Sequence, residues 1–180
     1  LDAVDWPQAV AERDARLKPE GFTTAWHYDV FAAVIGQTDA KGHCQHSVYG
    51  IDGLLLENAL TLKGERRQVL IDQRTYNASG QLESERASNT VMTVAQYAQP
   101  DGRLERLQAY RAGEAKSPLQ DLNYEYDRVG NVTRIRDNAQ PVQWSFNAQV
   151  DPVSTFAYDT LYQLTYATGR ENANNSPSPA

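Results

Sequence analysis

One short phrase recurs six times between Tyr28 and Leu164, and it constrains the fold more than any other feature of the chain. The phrase is a tyrosine, then an acidic, amide or small residue, then a turn-sized gap, a glycine, and an aliphatic residue two positions later. The copies begin at Tyr28-Asp29, Tyr49-Gly50, Tyr76-Asn77, Tyr97-Ala98, Tyr126-Asp127 and Tyr158-Asp159. Their aliphatic residues are Val34, Leu55, Leu82, Leu104, Val132 and Leu164. Gly53, Gly80 and Gly130 stand four residues after their tyrosine and Gly102 stands five after; Ala32 and Tyr162 hold that place in the first and last copies. Successive tyrosines are 21, 27, 21, 29 and 32 residues apart. Periods of this size mark stacked supersecondary units, each of which completes its packing only against its neighbours.

Each part of the phrase has a physical task. The tyrosine ends an incoming strand and lays its ring on a packed face while its hydroxyl stays solvated. Asp or Asn bonds its own backbone and starts a turn. Glycine supplies the positive φ that closes the turn. The aliphatic residue starts the returning strand, so the unit is a hairpin with a loop of about four or five residues. Flanking residues alternate as strands require: Leu122, Tyr124 and Tyr126; Val142, Trp144 and Phe146; Phe156 and Tyr158; Leu164 and Tyr166. Asp39-Ala40-Lys41-Gly42, Lys63-Gly64 and Asp137-Asn138 supply turns between the phrases. The expected fold is therefore mainly β: an antiparallel meander of successive hairpins over residues 21–170, about a dozen strands, forming part of a curved wall. An ordinary β-sandwich also shows regular turn spacing, but it does not explain six copies with the aliphatic residue in register.

Residues 1–20 differ. Asp5 is a candidate N-cap, Pro7 fits a first turn, and Val10, Arg13 and Leu17 share a helical face near Trp6, which predicts a short helix ending before Pro19. Residues 171–180 are polar, carry prolines and suggest a linker or tail. A first residue that is Leu and this tail together suggest a piece of something longer.

Composition narrows the function classes. Tyrosine, with 10 of 180 residues against 4 Phe and 3 Trp, favours half-buried sheet surfaces. A formal net charge of -6 without a Lys/Arg block lacks the footprint of a nucleic-acid binder. No apolar run is long enough to cross a bilayer as a helix, and the single cysteine, Cys44, forms no internal disulfide. His43, Cys44 and His46 are the most metal-like group. In a strand His43 and Cys44 point to opposite faces, which leaves too few ligands for a tetrahedral zinc site. Asp29, Asp127 and Asp159 recur at one turn position, which favours turn capping over acid–base catalysis. No nucleophile elbow, phosphate loop or dinucleotide fingerprint is present. No catalytic, metal or cofactor site is expected. The residues singled out are structural: Tyr28, Asp29, Tyr49, Gly53, Tyr76, Gly80, Tyr97, Gly102, Tyr126, Asp127, Gly130, Tyr158 and Asp159.

These phrases resemble the YD repeat of the RHS (rearrangement hot spot) family. Leu119–Val132 followed by Ile135-Arg136-Asp137, and Tyr158–Leu164 followed by Ala167–Glu171, resemble the C component (TccC type) of bacterial insecticidal toxin complexes; Thr38–Gly42 and Leu60–Gly64 do so as well. The resemblance implies a non-enzymatic segment of a secreted β-sheet shell, or cocoon, that encapsulates a C-terminal toxin for delivery. Its implied partners are other repeats of the same chain and the B component, with the A component as delivery channel; no nucleic acid and no direct membrane insertion are implied. In that family the self-cleaving core and the toxin lie downstream of such repeats. The alternative is a YD-repeat surface module that binds glycan or a partner protein, which needs exposed aromatic rings where a wall would bury or line them.

Overall fold

A computed structural model describes residues 10–17, 20–145 and 147–171. Its helix, α1, spans Val10–Asp14. Asp5 and Trp6, invoked above as cap and contact, lie outside the described residues, as does the tail beyond residue 171. The strands are β1 (Ala25–Tyr28), β2 (Val34–Thr38), β3 (Cys44–Tyr49), β4 (Leu55–Thr61), β5 (Gln68–Tyr76), β6 (Leu82–Ala87), β7 (Val91–Tyr97), β8 (Leu104–Arg111), β9 (Gln120–Tyr126), β10 (Val132–Asp137), β11 (Gln143–Ser145), β12 (Ala148–Val150), β13 (Val153–Tyr158) and β14 (Leu164–Ala167).

Twelve of these strands form one antiparallel sheet in the order β1-β2-β3-β4-β5-β6-β7-β8-β9-β10-β13-β14. The order is that of a meander, as the recurring phrase predicts, with one departure. Val142, Trp144 and Phe146 were expected to continue the sheet. Instead β11 and β12 pair only with each other, and β10 pairs directly with β13. Phe146 itself lies outside the described residues. The departure has a local cause. Pro141 lacks the N–H that a ladder strand must donate, Asn147 turns the small hairpin at φ 59, and the Asp137 N–H donates to Pro152 O at 2.9 Å, closing the excursion at its base.

The sheet is a single layer. Among the described residues the buried apolar side chains are Ala59, Val150 and Pro152, and no large side chain is fully buried. The accessible area is 13295 Å², whereas a compact protein of 20.1 kDa exposes about 8,700 Å². Strands such as β10 and β13 are half-buried at every position rather than alternately in and out. Neither face is a core, so the pattern that normally fixes strand register is weak here.

Candidate functional site

The most regular feature of the sheet is the row of phrase turns along one rim. In the first turn the Asp29 N–H donates to Ala33 O at 3.0 Å and the Ala32 N–H to Asp29 O at 3.2 Å. The same pair of bonds closes the turns at Asn77 (2.9 and 2.9 Å), Asp127 (3.0 and 3.3 Å) and Asp159 (3.0 and 3.1 Å). Five residues separate the strands, as expected, and three of them lie inside the bonded pair, because the last of these turns left-handed and a bulge takes up the slack. That residue has φ 77 at Gly80 and φ 105 at Gly130. Ala32 and Tyr162 hold the same conformation at φ 63 and 61, so the turn geometry survives loss of glycine at the cost of backbone strain.

The acidic or amide residue caps the turn from inside. Asp29 Oδ1 accepts from the Phe31 and Ala33 N–H groups at 2.8 and 2.9 Å. Asn77 Oδ1 and Asp159 Oδ1 do the same for Ser79 and Gln81 and for Leu161 and Gln163. Asp127 is the fullest case. Its Oδ1 accepts from the N–H groups of Val129, Gly130 and Asn131, and its Oδ2 from Asn131 Nδ2. Desolvation pushes its pKa up, but the Asn131 side chain and the three backbone donors outweigh it, leaving the carboxyl below its ordinary value. Two copies lack the cap residue, and a later carboxylate replaces it: Asp52 Oδ1 accepts from the Leu54 N–H at 3.0 Å and Asp101 Oδ1 from the Arg103 N–H at 3.1 Å. A Cβ on Gly50 would lie 2.5 Å from Asp52 Oδ1, so Gly50 gives Asp52 the room.

Within each hairpin the phrase tyrosine pairs with the phrase aliphatic residue: Tyr28 with Val34, Tyr49 with Leu55, Tyr76 with Leu82, Tyr97 with Leu104, Tyr126 with Val132 and Tyr158 with Leu164. The register shifts beside that pair in every hairpin. Between hairpins the hydroxyls do what the sequence reading did not foresee. They are not left to solvent. Tyr49 Oη donates to Val34 O (3.3 Å), Tyr76 to Leu55 O (2.6 Å), Tyr97 to Leu82 O (2.9 Å), Tyr126 to Leu104 O (2.8 Å) and Tyr158 to Val132 O (2.9 Å). Each tyrosine thus reaches back to the carbonyl of the preceding phrase's aliphatic residue. The rings are half-buried, where an unmade hydrogen bond is costly, and this carbonyl is the acceptor within reach.

Charged and amide side chains reinforce the seam. Arg103 Nη1 donates to Asp127 O at 3.0 Å while its guanidinium lies 5.6 Å from the centroid of the Tyr126 ring. Gln81 Nε2 donates to Gly102 O at 2.8 Å. Across strands, Arg106 grips Asp121 through two bonds of 2.6 and 2.8 Å. The Asp121 side chain is 7% exposed, and its carboxyl is held below the ordinary range first by the Arg106 hydrogen bonds. Arg74–Glu85 and Arg86–Asp72, each at 2.8 Å, are further cross-strand pairs.

The metal-like trio is engaged otherwise. His43 Nδ1 accepts from the Lys63 N–H at 3.0 Å, His46 Nε2 bonds Thr61 Oγ1 at 3.1 Å, and the Thr38 hydroxyl donates to Cys44 Sγ at 3.6 Å. No group of three or more potential metal ligands occurs among the described residues. A cavity of about 650 Å³ is an open trough between the third and fourth phrase turns, lined by Asn77, Gln81, Tyr97, Asp101 and Gly102. Gln81 and Asp101 there already serve the turns.

A one-layer antiparallel sheet, grown hairpin by hairpin and stitched at each junction by the same tyrosine bond, defines a β-repeat protein. Its relatives give the particular lineage: the chain is homologous to the C subunits of Tc toxins. It is 41% identical to toxin subunit YenC1 of Yersinia entomophaga over 161 residues, 88% of this chain and 16% of that subunit. It is 40% identical to YenC2 of the same organism over 174 residues, 91% of this chain and 18% of the subunit. It superposes on the TcdB2–TccC3 crystal structure with a TM-score of 0.78 at 38% identity, covering 97% of this chain and 9% of that one. A Photorhabdus luminescens Tc holotoxin pore structure matches at a TM-score of 0.72 and 42% identity, covering 82% of this chain and 7% of that one. No family model matches. The chain spans less than a fifth of the length of the curated relatives it matches.

Proposed function

We propose that this chain is a wall segment of the shell of a Tc-type toxin, its residues 21–170 forming part of the cocoon that encloses a C-terminal toxin for delivery. The observation that carries the reading is the missing core. A twelve-stranded sheet with both faces open is what a thin partition needs. The flanking residues 1–20 and 171–180 lead into and out of the wall. Its partners in this reading are neighbouring repeats and a B subunit, with an A subunit as the channel, in a secreted complex. The matches to TcdB2–TccC3 assemblies support the B partner, and the tyrosines, aspartates and glycines of the phrase act as structural residues, not catalytic ones.

The test is a graft. This chain replaces the matching segment of TccC3, and the chimera is expressed with TcdB2. The expected result is a B–C complex whose enclosed C-terminal region resists protease as the parent's does. Loss of the complex, or digestion of that region while the complex persists, refutes the wall reading. A second reading, glycan or protein binding through aromatic rings, draws on Phe31 and Trp144, exposed by 84% and 70%. Glycan-array binding lost on Trp144→Ala would favour it over the wall.

A further inference from the structure

The strand register brings a third metal-binding side chain to a pair that the sequence left too small. Cys44 and His46 stand two residues apart in β3 and share a face of the sheet. Gly36 of β2 pairs with His46, and His27 of β1 pairs with Gly36. His27, Cys44 and His46 therefore occupy one face of three adjacent strands, with a glycine between the two histidines.

We propose that these three side chains bind one zinc ion over Gly36, through the Cys44 thiolate and one imidazole nitrogen of each histidine, with water as the fourth ligand. This does not depend on what the wall encloses.

Gly36 carries the assignment. It is the one described glycine that lies inside a strand. Its counterparts in the other phrases, two residues after the aliphatic residue, are Glu57, Ser84, Arg106, Arg134 and Tyr166. Neither usual demand for glycine applies to it. Its backbone is outside the left-handed region. A Cβ there would meet His27 Cβ and Nδ1 at 3.5 and 3.6 Å, which are ordinary contacts. A strand glycine free of both demands marks a place of close approach, and the His27 ring already leans over it. Two strand spacings separate the histidine backbones by about 9.6 Å. Two imidazoles sharing an ion, each nitrogen about 2.0–2.1 Å from it, fill that gap. A branched side chain at position 36 would stand in the ion's place.

The outer contacts suit the same role. The Thr38 hydroxyl donates to Cys44 Sγ at 3.6 Å, a bond that a thiolate accepts better than a thiol. Thr61 Oγ1 engages His46 through Nε2 at 3.1 Å, which leaves Nδ1 to face an ion. The three ligands are not gathered to bonding distance in this conformation, so rotation of the side chains on a fixed backbone closes the site. Thiolate with imidazole favours zinc over magnesium or calcium.

The test uses the whole 180-residue chain, stripped of metal and kept reduced. Co²⁺ is titrated and followed by absorption, and Zn²⁺ affinity is measured against a chromophoric chelator. The expected result is one ion per chain with a thiolate-to-cobalt charge-transfer band. Cys44→Ser should abolish that band. His27→Gln, a change on an exposed strand, should weaken Zn²⁺ binding about 10-fold or more. Gly36→Val should weaken it as much while the metal-free urea midpoint holds or rises, because valine suits a strand better than glycine. His43→Gln, on the opposite face, should leave binding unchanged. No charge-transfer band, equal Zn²⁺ affinity of the parent and His27→Gln, undiminished binding by Gly36→Val, or equal losses from His43→Gln and His27→Gln would each overturn the proposal.

Discussion

Tyr126→Phe isolates one stitch of the seam. The substitution keeps the ring and its contact with Arg103, and removes only the hydroxyl that donates to Leu104 O at 2.8 Å. A neutral hydrogen bond contributes about 0.5–1.5 kcal/mol net, and an acceptor left dry adds to the loss. The Tyr126 ring is half-buried, so water reaches the orphaned carbonyl in part, and the expected cost is about 1 kcal/mol. Burial, first, then Tyr124 raise the Tyr126 phenol above its ordinary 10.0, although Arg103 pulls the other way. The donor therefore stays protonated at neutral pH. Its contribution is fully present below pH 10 and falls as pH rises through the folded value. The control is Tyr28→Phe, whose hydroxyl makes no such bond. Urea unfolding at low micromolar protein, followed by tryptophan fluorescence, measures both. With a slope of about 1–3 kcal/mol per molar, the Tyr126→Phe midpoint should drop by about 0.3–1 M with the slope unchanged, and the Tyr28→Phe midpoint should stay put. Equal midpoints for the two variants would show that the seam bonds are spectators.

Asp121→Ala should cost about 1.5–3 kcal/mol, the range for hydrogen bonds to a charged group, and fall at its lower end because Arg106 stays 35% exposed and rehydrates. The folded Asp121 carboxyl lies below 3.8, so its stabilisation is complete above that value and is lost as pH falls through the folded one; acid titration of stability should be shallower in the variant. Gly80→Ala meets open space but a φ of 77, so the expected loss of about 1 kcal/mol is purely conformational, whereas Ala32→Gly at φ 63 should be neutral or stabilising by urea midpoint. Destabilisation by Ala32→Gly would show that the first turn is held by something other than its backbone.

The hairpins were legible because their determinants are local. Asp29, Asn77, Asp127 and Asp159 act within four residues of themselves, and a tyrosine-to-aliphatic spacing of six residues in five copies and seven in the fourth counts the turn directly. The helix was legible in kind, and its described extent is Val10–Asp14. The excursion β11–β12 was not, because Val142, Trp144 and Phe146 alternate as a sheet strand would, and alternation does not say which strand is the partner. Thr90, left-handed at φ 68 between β6 and β7, was missed because threonine gives no sign of that conformation; only the Asn89 before it, whose Oδ1 accepts from the Val91 N–H at 3.1 Å, hinted at a turn. The role of the hydroxyls was misread for a different reason. Their acceptors, Val34, Leu55, Leu82, Leu104 and Val132, lie 15 to 26 residues away and use main-chain oxygens, which leave no trace in side-chain identity.

A sheet with two similar faces faces a register problem that an ordinary sheet does not. Slipping one strand by one residue normally turns a hydrophobic row out to water, and that penalty fixes the pairing. Along β10 and β13, half-buried at every position, that penalty is weak, although β5 still alternates. Within a hairpin the short phrase turn and its bulge set the register. Between hairpins a tight turn does so only at some links, as at Asp39–His43 between β2 and β3 and at Thr90 between β6 and β7; the others differ in length and include an entire extra hairpin before β13. The tyrosine bond supplies the missing constraint. A slip of one residue would swing the ring to the opposite face and leave both hydroxyl and carbonyl unpaired, at each junction separately. This accounts for tyrosine at the five phrase positions that make the bond, in a chain with four phenylalanines elsewhere: phenylalanine would fill the same surface and leave the register free. It also explains why the links tolerate variation, since the junction is read from the seam and not from the length of chain that leads to it.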